Sequence, residues 1–217
     1  MKIALLGYGR MGKTIAGLAK IRGHEIVYKS SSKTSLGTLT DADIAIDFST
    51  PETATENIKS SLKLGIPVVS GTTGWLKNYD EVINFCKQRN GSFIYASNFS
   101  IGVNLFFNLN EQLAKIMSPW ETYKASISEI HHVQKKDAPS GTAISLAEQI
   151  IKQSNQVGWK LSEAQEEEIE ITAKRIDSVH GLHEVIYASE IDSISIKHEA
   201  HSREGFAIGA LLASEWL

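Results

Sequence analysis

Fifteen residues from Glu129 to Ala143, EIHHVQKKDAPSGTA, crowd two adjacent histidines, two adjacent lysines, an aspartate and a Pro-Ser-Gly turn ahead of a helical pattern. Histidine changes charge near neutral pH, which makes His131 the natural proton carrier. Lys135 is a second candidate, as a fixed cation or as an acid. Ser140 stands where a helix N-cap belongs, leaving the Gly141 and Thr142 amides free to meet an anion. A glycine there also lets a ligand come close to the backbone. A carboxylate at this helix start, with His132 and Lys135 alongside, would be held by amides and charges together. The stretch predicts a site that binds an anion and moves a proton. A metal site on His131 and His132 is disfavoured, because neighbours on a strand point to opposite faces. No carboxylate or cysteine stands at an obvious ligand spacing from them either.

A second stretch, Gly7-Tyr8-Gly9-Arg10-Met11-Gly12, matches G-x-G-x-x-G between an apolar run and a helical pattern. Glycines there permit a tight turn, close approach to a pyrophosphate and close helix–strand packing, while the helix N-terminus favours phosphate charge. The stretch predicts a bound dinucleotide. An NAD-specific site would place a carboxylate at the end of the second strand; here that segment is Tyr28-Lys29-Ser30-Ser31-Ser32-Lys33. Lys29, Ser30 and their neighbours suit a 2′-phosphate, so NADPH is expected over NADH. Two further loops, Gly71-Thr72-Thr73-Gly74 and Ala96-Ser97-Asn98-Phe99-Ser100, follow later strands and are expected to lie along a nicotinamide ribose and ring.

These residues need elements to position them. Short β-rich runs (KIALLG, HEIVYKS, DADIAIDFS, IPVVSG, SFIYAS) alternate with helical patterns over the first hundred residues, as in parallel β-α-β units. After Asn98 comes a long amphipathic helix, VNLFFNLNEQLAKIM. It is followed by TYKASISEIHH, EIEITAKRID, HEVIYAS and DSISIKHEA, all with period-two patterning, and by the helix SGTAISLAEQIIKQ. That predicts a mixed or antiparallel sheet buried on one face. The expected fold is α/β: a Rossmann-like parallel-sheet domain of residues 1–99 and 203–217, and a second α+β domain of residues 100–202. The apolar helix REGFAIGALLASEWL closes the first.

Composition narrows the partners. The 217-residue chain carries a formal net charge of −3 and scattered basic residues, giving no electrostatic reason to expect nucleic acid or an anionic membrane. The single cysteine, Cys86, excludes an internal disulfide framework and reads as a small core residue of a helix. No apolar run reaches the length of a membrane span, and the apolar start is too short for a signal peptide, so a cytoplasmic location is expected.

The motifs together resemble a known family. E-x-H-H-x-x-K-x-D-A-P-S-G-T-A, with GYGRMG, DFSTPE, GTTG, SNFSIGVN and SREGFAIGAL in order along the whole chain, looks like the dihydrodipicolinate reductases. The resemblance implies a two-domain enzyme of lysine and diaminopimelate biosynthesis, a homotetramer assembled through the second domain's sheet. Such an enzyme reduces the cyclic dicarboxylate of the preceding synthase with NADH or NADPH, losing water. It implies His131 as proton donor/acceptor, Lys135 as proton donor, and His132, Gly141 and Thr142 as ligands of the substrate carboxylate. Gly7 to Gly12, Gly71 to Thr73 and Ala96 to Phe99 would hold the cofactor. Two departures bear on cofactor choice: GYGRMG stands where GAGGRMG is common in the family, and the connection after the second strand is short.

Two other readings make different demands. An aldehyde-type dehydrogenase needs a cysteine nucleophile in a loop at the domain boundary, and Cys86 is placed mid-helix. A sensor that binds NADP(H) without turnover has no need of His131 and Lys135 beside an anion site. His180 and His183 could border the site, and a turn at Gly181 explains them equally well; His198 and His201 are read as structural.

Overall fold

The computed structural model describes residues 1–31 and 33–217; Ser32, one of the serines after the second strand, lies outside the described residues. The chain divides into two compact units, Met1–Ile101 with Arg203–Leu217, and Gly102–Ser202.

The first unit is a six-stranded sheet built from β1 (Lys2–Leu6), β2 (Glu25–Ser30), β3 (Ser35–Gly37), β4 (Ile44–Asp47), β5 (Val68–Ser70) and β6 (Phe93–Tyr95), in the order β3-β2-β1-β4-β5-β6. All neighbours run parallel except β2 and β3. Helices α1 (Arg10–Ile21), α2 (Pro51–Lys63), α3 (Tyr79–Gln88) and α6 (Glu204–Trp216) cover it. Because successive strand residues face opposite ways, Ile3 and Leu5 of β1 pack with Ile15 and Ala19 of α1 and with Ala207, Ala210 and Leu211 of α6. Ala4 and Leu6 pack instead with Ala54, Ile58 and Leu62 of α2 and with Val82 and Cys86 of α3. A strand buried on both faces must be a continuous apolar run, and KIALL is one. Helix α2 starts where Pro51 follows Thr50, which forms a reciprocal capping pair with Thr53.

The strand order places β1 and β4 side by side with crossovers leading away in both directions. That is the switch point at which doubly wound sheets bind ligands beyond their strand ends.

The second unit holds a five-stranded sheet of β7 (Lys124–His131), β8 (Gly158–Leu161), β9 (Glu168–Arg175), β10 (Gly181–Ala188) and β11 (Ser193–Ala200), ordered β11-β10-β7-β9-β8. It is mixed: β7–β9 and β8–β9 are parallel, whereas β7–β10 and β10–β11 are antiparallel. Helices α4 (Ile101–Met117) and α5 (Gly141–Ile151) pack on one face. Phe106, Ala114 and Met117 of α4 and Ala143, Leu146, Ala147 and Ile150 of α5 close over Ile127, Ile169, Ile171, Val185 and Tyr187. Each such aliphatic side chain stabilises the unit by roughly 1.5–3 kcal/mol through burial. Buried Asn110 ties the helices together, donating to the Leu146 carbonyl and to Gln149 Oε1.

Two strands go beyond the periodicity reading. β3 is three exposed residues on a sheet edge, and β8 is four partly exposed ones, so neither carries an apolar alternation. No described helix is long and apolar enough to cross a membrane.

Candidate active site

The core-facing row of β7 runs Ile127, Glu129, His131, all buried. The isoleucine belongs to the core; a glutamate and a histidine in the same row are polar groups that must find partners. Glu129 has no solvent exposure. Its two oxygens accept the Ser140 amide at 3.1 Å each, and its Oε1 faces both terminal nitrogens of Arg175 at 3.3 Å. Its Oε2 lies 3.6 Å from Nδ1 of His131 and 3.6 Å from Nε2 of His183. The two imidazoles meet edge to face with centroids 4.9 Å apart. Sheet register brings His183 there: β10 pairs with β7 so that His183 stands opposite Glu129, while Arg175 ends β9 opposite His131.

Arg175 also fastens the loop after β7. Its Nε donates to the Lys135 carbonyl at 3.3 Å, and a terminal nitrogen donates to the Asp137 carbonyl. The Lys135 ammonium bonds both oxygens of Asp137, at 2.9 and 2.8 Å. His132, one residue past the strand, is half-buried, and its carbonyl accepts the Lys135 amide at 3.0 Å.

Ser140 caps α5 as its position in the sequence predicts, its hydroxyl accepting the Ala143 amide at 3.2 Å and lying 3.0 Å from His183 Nε2. The first-turn amides of a helix have no intrahelical acceptor, so those of Gly141 and Thr142 stand at the positive end of α5. Gly141 is exposed there and Thr142 half-buried. No acidic residue occupies the first turn.

The electrostatics separate the two central groups. Burial would raise the Glu129 carboxyl, but contacts from His183 and Ser140 and the nearby His131 outweigh it and bring it down to about 2. His131 is lowered to about 4, chiefly by burial and then by His183, with Lys135 and Arg175 reinforcing and Glu129 opposing. Without an added anion, the ring is neutral at pH 7 beside an ionised carboxylate.

In the first unit the glycine loop is built as the pattern requires. Gly7 has φ +98°, and a Cβ there would stand 2.2 Å from the Phe48 carbonyl oxygen; one on Gly12 would meet the Gly7 carbonyl at 2.3 Å. Gly9 faces open space. Helix α1 begins at Arg10 with neither a side-chain cap nor an acidic residue in its first turn. The amides of Gly7 and Tyr8 both bond the Ser30 carbonyl, at 3.1 and 2.6 Å, which fixes the loop against the end of β2. Lys29 lies there with its ammonium 4.9 Å from the centre of the Tyr8 ring. Open space at Gly9 beside a helix start without a side-chain cap suits a dinucleotide pyrophosphate, so these residues fit the group the motif implies.

The Gly71–Gly74 loop is fastened to Asp47, the fully buried last residue of β4. Its carboxylate accepts Ser49 Oγ at 2.6 Å, Thr72 Oγ1 at 2.7 Å, Ser70 Oγ at 2.9 Å and Asn57 Nδ2 at 3.2 Å. Burial is the largest influence and holds Asp47 above its ordinary carboxyl value, against the lowering effect of those bonds. Gly71 presses on the Phe48 ring, where a Cβ would stand 2.3 Å away, and the Ala96 amide bonds the Ser70 carbonyl at 3.2 Å. The Phe99 ring lies 6.2 Å from that of Phe48, tilted by 57°, and Asn98 accepts the Ser100 amide at 2.8 Å. Thr73 and Ser97 stand exposed.

The structure decides one reading of the sequence and corrects another. His183 borders the site and is not in a turn: it sits inside β10, 4% exposed, against Glu129. A carboxylate does stand near His131, since Glu129, His131 and His183 bring ligand-type atoms within 4.8 Å of one another. Protein donors already occupy the Glu129 oxygens of that cluster. Glu129 was legible in principle, two residues before His131 and so on the same strand face. Cys86 is a buried helix residue whose thiol burial pushes up, unlike an exposed nucleophile. A separate cavity of about 590 Å³, lined by Trp120, Lys124, Gln156 and Tyr187 among others, lies at the Lys124 end of β7. That end is roughly 23 Å of strand from His131.

Comparison by sequence with known proteins points to one family. Residues 1–99 match the family described as "Dihydrodipicolinate reductase, N-terminus", and residues 102–217 that described as "Dihydrodipicolinate reductase, C-terminus". The chain is 54% identical over 220 residues to the 4-hydroxy-tetrahydrodipicolinate reductase of Christiangramia forsetii, covering 100% of this chain and 92% of that one. It is 36% identical over 219 residues to the enzyme of the same name from Rickettsia rickettsii, covering 96% of this chain and 89% of the relative. Among solved structures, the dipicolinate-bound dihydrodipicolinate reductase from Paenisporosarcina sp. TG-14 superposes with a TM-score of 0.76. That match covers 99% of this chain and 93% of the other at 21% identity, which speaks to the fold.

Proposed function

Since the chain belongs to the dihydrodipicolinate reductase family, we propose that its two units divide the family's reaction, cofactor on the first and substrate chemistry on the second. It is a nicotinamide-dependent reductase of 4-hydroxy-tetrahydrodipicolinate, in lysine and diaminopimelate biosynthesis. When bound, the dihydronicotinamide supplies the hydride.

The observation that carries the residue assignment is His131 buried 3.6 Å from Glu129, a carboxylate that itself accepts the Ser140 amide at the N-terminus of α5. A ring dicarboxylate set at that helix start meets the Gly141 and Thr142 amides, with His132 and Lys135 as cationic or donor neighbours. Hydride addition to the conjugated ring leaves negative charge that a positioned proton must quench. His131 is the proton carrier: neutral in the free protein, it takes up a proton when a dianion arrives, because the added negative charge favours the imidazolium. Lys135 exchanges Asp137 for the substrate and is the second donor.

On the first unit, Gly7 to Gly12 hold the pyrophosphate, and the Gly71–Thr73 and Ala96–Phe99 loops hold the nicotinamide end. Lys29 and Ser30 read the 2′-position, and a cation with no acidic residue at the end of β2 favours NADPH. The protein works in the cytoplasm as a homotetramer assembled through the second unit's sheet.

A coupled assay tests this reading. Pyruvate, aspartate semialdehyde and a separate synthase generate the substrate while NADPH and NADH oxidation are followed in parallel. Substrate-dependent oxidation, faster with NADPH, is expected. No oxidation by folded protein that binds NADPH would overturn the assignment, and equal affinities would overturn the cofactor preference.

A further inference from the structure

Glu129 meets more partners than anchoring a loop requires. The Ser140 amide and the Arg175 guanidinium would suffice to pin α5 and the β7 loop to the sheet. Yet Oε2 also faces two imidazoles at 3.6 Å, and His131 Nδ1 is closed to solvent with no hydrogen-bond partner among the described residues. The charged group before that nitrogen is Glu129. The other edge of the ring lies along Gly181, where a Cβ would stand 3.2 Å from Nε2 and 3.3 Å from Cδ2. A side chain at that position would crowd Nε2, and glycine leaves it clear.

We propose that Glu129 is a positioning residue for proton transfer: its Oε2 holds His131 in the tautomer with the proton on Nδ1, so that Nε2 receives and delivers the transferred proton. The inference rests on the reading of His131 as the proton carrier. In the step, the His131 imidazolium breaks its Nε2–H bond, the proton goes to the carbanionic centre left by hydride addition, and the ring returns to neutral Nδ1–H. Glu129 stays ionised throughout, as an orienting carboxylate does. Solvent then reprotonates Nε2.

The charged and titratable groups around the ring fit this cycle. Glu129 faces it from its own strand, Lys135 from the following loop, Arg175 from β9 and His183 from β10. Burial first, and then His183, Lys135 and Arg175 against the one anion, leave the free ring neutral, and an arriving dicarboxylate adds the negative charge that favours the imidazolium. The carboxylate then stabilises the imidazolium it has already oriented.

Nitrogen-15 NMR of the His131 ring in the wild-type protein decides the tautomer without any substitution. Protonated Nδ1 is expected, and a protonated Nε2 with bare Nδ1 overturns the proposal. Kinetics supply the second measurement. Glu129→Gln keeps the shape and an acceptor for the Ser140 amide, so a purely structural role predicts near-normal turnover. The positioning role predicts a kcat lower by about a hundredfold, a substrate KM changed by less than about threefold, and a displaced pH profile. Unchanged kcat and profile in E129Q would sink it. His131→Gln separates the two levels: an inactive H131Q beside a fully active E129Q overturns this inference alone, while a fully active H131Q overturns the reading of His131 beneath it.

Discussion

Each unit buries a carboxylate at zero exposure near the carboxyl end of an inner strand, Asp47 in the first and Glu129 in the second. Their surroundings differ in kind. Three hydroxyls and an amide, all neutral, surround Asp47, while Glu129 faces a guanidinium, two imidazoles and a backbone amide. The first carboxyl is displaced upward and the second down to about 2. Equal burial thus gives opposite results, and the partners decide which. Neutral donors make a carboxylate a staple for loops, as Asp47 is for the Ser49, Ser70 and Thr72 turns. Titratable and cationic partners make it an electrostatic tool.

The sharpest way to break this contrast is at the tool. Lys135→Ala is expected to cut kcat by 10²–10⁴-fold, the usual span for a positioned acid, with NADPH affinity nearly unchanged. Stopped-flow turnover and equilibrium cofactor titration check both halves. Gly7→Ala strikes the other unit: an L-residue at φ +98° pressed on Phe48 should lower NADPH affinity at least about tenfold, read by fluorescence titration. Asp47→Asn removes acceptor capacity from a staple and should destabilise the protein by about 1–3 kcal/mol in denaturant melts. If the contrast is right, the pH profile of turnover stays where it was.

Acid melting sharpens the same contrast. Folding lowers Glu129 from 4.5 to about 2, so its contribution is complete above pH 4.5 and lost as pH falls toward 2. His131, lowered from 6.5 to about 4, adds a loss between those values, because the unfolded chain takes up a proton that the folded one refuses. Asp47 runs the other way: its raised carboxyl contributes most at low pH, and that contribution declines as pH rises past 3.8. A Tm series from pH 7 downward should fall in two stages, with Glu129→Gln flattening the lower one and Asp47→Asn, which removes an opposing gain, steepening it. The smallest expected effect is on cofactor choice. Lys29→Ala should reduce the NADPH-over-NADH preference roughly five- to tenfold in kcat/KM, the loss of one charge contact. An unchanged ratio would remove Lys29 from the 2′-phosphate reading.

What the sequence made legible follows the range of the forces involved. Glycine loop, Ser140 cap, Pro51 helix start and strand–helix alternation depend on neighbours within a few residues, and each is where its pattern puts it. The parallel sheet and the mixed sheet were legible for the same reason, through period-two and helical patterning. The Glu129 cluster was not, because it is assembled by register. Arg175 and His183 lie 46 and 54 positions along the chain from Glu129 and meet it only once β9 and β10 pair with β7. His183 looked like part of a turn because Gly181 precedes it; the strand in fact begins at that glycine. The Asp47 staple was missed likewise, since Ser70 and Thr72 reach it across the α2 crossover from β4 to β5.

Helix α6 carries a consequence for the birth of the molecule. Its Ala207, Ala210 and Leu211 complete the apolar layer over Ile3, Leu5 and Ile15, and Gly209 packs so closely that a Cβ would overlap the Phe99 carbonyl. Residues 102–202 are translated between that layer and its cover. At the ribosome the second unit can therefore finish first, while the earlier one waits with a bare hydrophobic face.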